Sequence, residues 1–211
     1  MTAMCDVAFL LLTFFMLATK FKPDEPVVVK TPGSISDITL PDRNIMLITI
    51  DPKGRVFFSI DDTIIDGTPA RKSLITNINT LKNLQLDSAD ARAFRLGPSI
   101  GIPFSQLKGF LDATGPEQKN IETNAPGIPV DTSVSNPNNE LADWIRSARD
   151  VNPRLRICIK ADGDASYPAI QKIIKTLEGL KIFKFNLITN LKAVPPGTAA
   201  YDDAHSGDRK K

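Results

Sequence analysis

The sequence predicts an α+β protein: a single N-terminal transmembrane helix followed by a mixed α/β domain. Three observations carry this. Residues 5–17 read Cys-Asp-Val-Ala-Phe-Leu-Leu-Leu-Thr-Phe-Phe-Met-Leu, and Asp6 is the only charge within residues 1–19. Residues 45–60 form two β-branched, apolar runs around Asp51-Pro52-Lys53-Gly54, the pattern of a hairpin. Residues 154–189 read as strand, helix and strand, which predicts a right-handed crossover between parallel strands.

As a helix, residues 1–19 reach about 28 Å, close to the roughly 30 Å hydrocarbon core of a bilayer. A signal peptide would need a basic segment before the run and a small-residue cleavage site. No Lys or Arg precedes it, and Leu17-Ala18-Thr19 fits such a site poorly. A buried core helix is disfavoured by the near-absence of a polar face. A span over 1–21 is the reading adopted.

Asp6 then becomes informative. An ionised carboxylate within a span costs about 2.5–3.5 kcal/mol even on the lenient insertion scale. At headgroup depth it would merely complement the helix dipole. The helix face decides between these readings. Asp6, Thr13 and Lys20 are spaced by seven, with Thr2 one turn before Asp6, so they share one stripe. Ala8, Leu11, Leu12 and Phe15 lie opposite. A narrow polar stripe on an oily helix calls for a protein surface, and hence an assembly.

Residues 22–43 are rich in Pro and charge and read as an extended linker, with a short strand at 27–29. Residues 44–192 form the folded domain. After the hairpin, 69–83 reads as an amphipathic helix burying Leu74, Ile78 and Leu81. Shorter helices follow at 89–94 and 104–112, and 115–137 reads as a Pro/Gly/Asn loop. Residues 140–150 form a helix burying Leu141, Trp144, Ile145 and Ala148. A strand at 154–160 leads to a helix over 167–180, capped by Ser166, with Ile170, Ile173, Ile174 and Leu177 inward. Residues 183–189 close as a strand, and 193–211 form a polar, disordered tail.

Composition narrows the function. Hydrophobic residues make up 42% and charged residues 24% of 211, ordinary for a globular domain. With 26 basic against 24 acidic residues there is no field for nucleic acid. Cys5 and Cys158 read as two unpaired, buried thiols. The single histidine, His205, lies in the tail and cannot build a triad or a structural zinc site. Gly97-Pro98-Ser99-Ile100-Gly101 matches a nucleophile elbow in letters only, because no histidine serves the serine. Its glycines are expected to serve a turn before Pro103. Asp61, Asp62, Asp66, Asp162 and Asp164 lack calcium-loop spacing and are expected in turns and caps. No phosphate-binding glycine loop is present. The expectation is a protein that is not an enzyme, with no cofactor and no metal.

The string from Cys5 to Met16 resembles the transmembrane signature of the ExbD/TolR family, in which an Asp following an apolar residue precedes Val and a Leu/Ile/Phe-rich run. Met1-Thr2-Ala3-Met4 resembles the family's Thr-Pro segment, with Ala3 in the proline position. Lys160-Ala161-Asp162, Ser166-Tyr167 and Phe185-Asn186-Leu187-Ile188-Thr189 are similar to its closing strand, turn, helix and strand. Val29-Lys30-Thr31-Pro32 in position, and Leu40-Pro41 in composition, are both similar to its Leu-Pro stretch. Residues near 88–136 have no counterpart in compact members and read as an insertion.

The resemblance implies a subunit of a proton-motive-force-driven motor, single-pass in the cell inner membrane, with its C-terminal domain in the periplasm. It implies Asp6 as the proton-carrying group, with Thr13 lining the same path. Two copies would sit in an ExbB/TolQ-like ring and dimerise through their periplasmic domains, and a TonB- or TolA-like transducer would carry energy to outer-membrane transport. Lys20 and Lys22 follow the helix and nothing basic precedes it, so the positive-inside rule alone gives the opposite topology. A basic cytoplasmic segment ahead of Met1 would reconcile the two. The alternative is a membrane-anchored periplasmic module that binds peptidoglycan, with the helix as a plain anchor in lipid.

Overall fold

The computed structural model describes residues 2–18, 29–31, 33–34, 43–188 and 190–191. The chain begins with α1 (Thr2–Ala18) and β1 (Gly33–Ser34). The hairpin follows as β2 (Ile45–Ile50) and β3 (Val56–Ile60), then a small pair, β4 (Ile64–Ile65) and β5 (Thr68–Pro69). Five helices come next: α2 (Ala70–Lys82), α3 (Ser88–Leu96), α4 (Phe104–Asp112), α5 (Gly115–Asn124) and α6 (Glu140–Val151). The last elements are β6 (Arg156–Ala161), α7 (Tyr167–Gly179), β7 (Phe185–Ile188) and β8 (Asn190–Leu191).

The main sheet has the order β3-β2-β6-β7. β2 and β3 are antiparallel, whereas β2–β6 and β6–β7 are parallel. The strand–helix–strand reading therefore holds as a parallel pair. In the hairpin Met46, Ile48 and Ile50 pair with Ile60, Phe58 and Val56, and all six enter the core. That is the period-two alternation of a strand with one face inward. The turn is held by Asp51, whose carboxylate accepts from the Arg55 backbone N–H at 2.8 Å and from Arg55 Nε at 2.7 Å.

Trp144, fully buried on α6, is the centre of the helical layer. Its indole lies 5.4 Å from the Phe58 ring, 5.8 Å from Phe94 and 5.2 Å from Phe104. Two of these partners, Phe94 and Phe104, come from the segment read as an insertion, so that segment is part of the core. It also covers the outer edge of β3. Phe58 N–H donates to Ile100 O at 2.7 Å, Ile100 N–H returns to Phe58 O at 2.8 Å, and Ile128 N–H donates to Val56 O at 2.9 Å. Gly127 permits that approach: at φ +85°, a Cβ there would stand 2.8 Å from Val56 N.

Several expectations are corrected. The stretch 115–137 is not all loop: α5 occupies its first part, started by a capping box between Thr114 and Glu117. Ile121 is its only large apolar residue, so no hydrophobic period announced it. Leu81 is 59% exposed, and Ile75 takes the core position beside Leu74 and Ile78. The Ser166 side chain makes no capping bond to α7. Ile173 and Leu177 are buried there, while Ile170 and Ile174 are half-buried. The last strand starts at Phe185, leaving Phe183 74% exposed. Cys158 is buried as expected, but Cys5 is exposed. Val29 is buried outside any strand; Val27 and Val28, Lys20, His205 and the tail 193–211 lie outside the described residues.

Candidate functional site

α1 is the chain's most unusual element. Seventeen residues of helix rise about 25 Å, against the roughly 30 Å core of a bilayer. Among the described residues no helix is long and apolar enough to cross a membrane, so the span expected over 1–21 is described only as Thr2–Ala18. Its side chains from Met4 to Phe15 are exposed, apart from half-buried Thr13. Val7, Phe9, Leu10, Leu11, Leu12, Phe14 and Phe15 each keep more than half their surface uncovered. Burying such a side chain is worth about 1.5–3 kcal/mol. A helix oily all round is unstable in water and calls for a cover that the described residues do not supply.

Asp6 is exposed on this helix. Thr13 stands two turns on, about 10 Å along the axis and 20° around it. The Thr13 hydroxyl points back to its own helix, 3.0 Å from both Phe9 O and Leu10 O. Its single proton is shared between those carbonyls, which leaves the oxygen able to accept a bond from outside. The two residues thus lie on one stripe, as the spacing predicts, with no side-chain contact between them.

A second feature, which sequence reasoning missed, ties the linker to the folded body. Asp162, buried at the end of β6, accepts from the Lys30 backbone N–H at 2.7 Å. Gly163 N–H donates back to Lys30 O at 2.9 Å. The other Asp162 oxygen accepts from Asp164 N–H at 2.9 Å, fixing the turn that presents it. Beyond this clamp, β1 pairs in parallel with β8, Gly33 opposite Asn190 and Ser34 opposite Leu191. The signal available was Lys160-Ala161-Asp162-Gly163, an Asx-turn sequence at a strand end, but its partner lies 132 residues away.

The remaining acidic residues have local duties. Asp61 accepts from Asn44 N–H at 2.6 Å, and Asp62 accepts from Arg71 N–H at the start of α2 and from Arg95 Nε at 2.7 Å. Asp66 occupies a left-handed turn position at φ 49°. Among the described residues no group of three His, Cys, Asp or Glu side chains is placed to hold a metal ion. The Gly-x-Ser-x-Gly stretch is structural in a way the sequence did not reveal: a Cβ at Gly101 would stand 2.1 Å from Phe57 Cδ1, so the glycine is required by a ring packed against it. Burial pushes the Cys158 thiol up, which keeps it protonated and unreactive.

A family model described as "Biopolymer transport protein ExbD/TolR" matches residues 1–192. No curated protein and no solved structure matches the chain.

Proposed function

The chain belongs to the ExbD/TolR family, and on that premise we propose that it is a proton-carrying subunit of an inner-membrane motor that energises outer-membrane transport. The observation that carries this reading is Asp6, a lone carboxylate on a helix whose other exposed side chains are almost all apolar. A carboxylate so placed costs about 2.5–3.5 kcal/mol when ionised at bilayer depth. Protonation removes that cost, so the charged and neutral forms favour different surroundings. One proton crossing 100 mV supplies about 2.3 kcal/mol, enough to toggle one such group.

In this reading Asp6 takes a proton from the periplasmic side and releases it toward the cytoplasm, and Thr13 accepts a hydrogen bond along the same stripe. An ExbB/TolQ-like ring and the surrounding lipid cover the apolar faces of α1. The folded body lies in the periplasm and passes the motion to a TonB- or TolA-like transducer. The Lys30–Asp162 clamp supports this, because it gives the linker a fixed point of attachment to the folded body. A second copy would pair along β7, which among the described residues pairs only with β6.

The test is proton flux in liposomes carrying the chain with its ring partner. Asp6→Asn is expected to abolish flux and energy coupling while leaving membrane insertion and ring co-purification intact. Unchanged flux and coupling would replace the motor with an anchored peptidoglycan-binding module.

A further inference from the structure

We propose that the cleft between α6 and the turn after α7 binds the free C-terminal carboxylate of a peptide ending in an apolar residue. The cleft is open to solvent and offers about 390 Å³, room for one or two residues. Ile145 forms a fully buried floor, and Leu180 and Ile182 are half-buried walls. Arg146, Arg149 and Lys181 line it against a single carboxylate, Asp150, so three positive charges face one negative.

Those cations are underused. Arg149 Nη1 donates to Pro153 O at 3.3 Å, but its Nε is buried with no acceptor. Arg146 reaches Asp143 Oδ1 and Val134 O only at 3.5 Å. Lys181 has no ion pair among the described residues. The turn that carries Lys181 is preformed: Leu180 N–H donates to Thr176 O, Lys181 N–H to Glu178 O and Ile182 N–H to Leu177 O, with Lys181 at φ 60°.

A forked guanidinium beside a second one matches a carboxylate's two oxygens, and the aliphatic walls match a side chain attached next to it. Inorganic anions satisfy only the first requirement. A chain terminus satisfies both, and capture of a terminal carboxylate is an established mode of peptide recognition.

The full chain in detergent micelles would be titrated with N-acetyl-Ala-Leu bearing a free carboxylate, and with its C-terminal amide, by isothermal calorimetry. The carboxylate is expected to bind about tenfold or more tightly than the amide, a difference matching one charge-assisted hydrogen bond. Arg149→Gln should remove the difference, and Lys181→Ala, on the exposed rim, should weaken carboxylate binding about threefold without disturbing the fold. Equal binding of acid and amide, or an unchanged affinity in Lys181→Ala, would overturn the proposal. So would displacement of the peptide by phosphatidylglycerol vesicles at lower concentration than by further peptide, which would assign the cleft to a lipid headgroup.

Discussion

The helices α1 and α6 face opposite problems with similar means. α6 has twelve residues and sends Leu141, Ala142, Trp144, Ile145 and Ala148 inward. Its first turn is closed by the Asn139 side chain, which accepts from Ala142 N–H at 3.2 Å, and Arg149 sits in its last turn, complementing the dipole. Everything that stabilises α6 is contributed by the chain itself. α1 is longer and more apolar, yet no face of it is covered from Met4 to Phe15 except at Thr13. Among the described residues nothing covers α1, whereas α6 is held on one face by the core.

The largest effect that would sharpen this contrast is expected from Trp144→Ala. Losing an aromatic that touches Phe58, Phe94 and Phe104 should cost about 3–5 kcal/mol, read as a drop in the urea midpoint of the full chain. Insertion of α1 into membranes should be unchanged. Gly127→Ala comes next, at about 2–3 kcal/mol, since a Cβ there is disfavoured at φ +85° and collides with the β3 backbone. Asp162→Ala should cost about 1–3 kcal/mol, because two partly buried hydrogen bonds from the Lys30 and Asp164 N–H groups to a carboxylate are lost. It should also raise amide exchange at Lys30, which uncouples the linker from the body.

A pH effect follows from Glu122. This residue is buried on α5, and burial raises its carboxyl from 4.5 to about 7, only partly offset by Lys119. Arg55 also lies close, donating from Nη1 to Glu122 O at 3.2 Å and Thr123 O at 2.9 Å. The folded state holds the proton more tightly than the unfolded chain, so stability falls as pH rises from about 4.5 to about 7. Glu122→Gln should flatten that slope in thermal melts taken across the same window. The smallest effect is expected at Asp6: Asp6→Asn should change the unfolding free energy from urea titration by less than about 0.5 kcal/mol. A larger shift would mean that α1 is packed into the body, and the contrast between the two helices would fail.

What was legible in the sequence was whatever repeats. The hairpin at 45–60 alternates with period two, and α2, α4 and α6 keep three-to-four spacing; these appear close to their expected positions. α5 was hidden because it folds on a capping box and a single half-buried isoleucine. Leu81 was misjudged because it extends the stripe of α2 past the point where the neighbouring elements cover it. The closure of β3 by Ile100 and Ile128 is made of backbone bonds between distant segments, and the Lys30–Asp162 clamp joins a carboxylate to a backbone N–H 132 residues away. No periodic pattern encodes such pairings. On α1, the stripe of Asp6 and Thr13 was readable because it depends on spacing alone.

The covering of β3 limits how this protein can add strands. An exposed sheet edge is an invitation to pair, and a sheet with two such edges behaves like a bifunctional monomer that grows into a chain. Here Ile100 and Ile128 occupy one edge, and among the described residues β7 is the open one. A unit with a single reactive end is a chain terminator. Two copies joined through β7 would consume both open edges, and strand addition would stop at the pair.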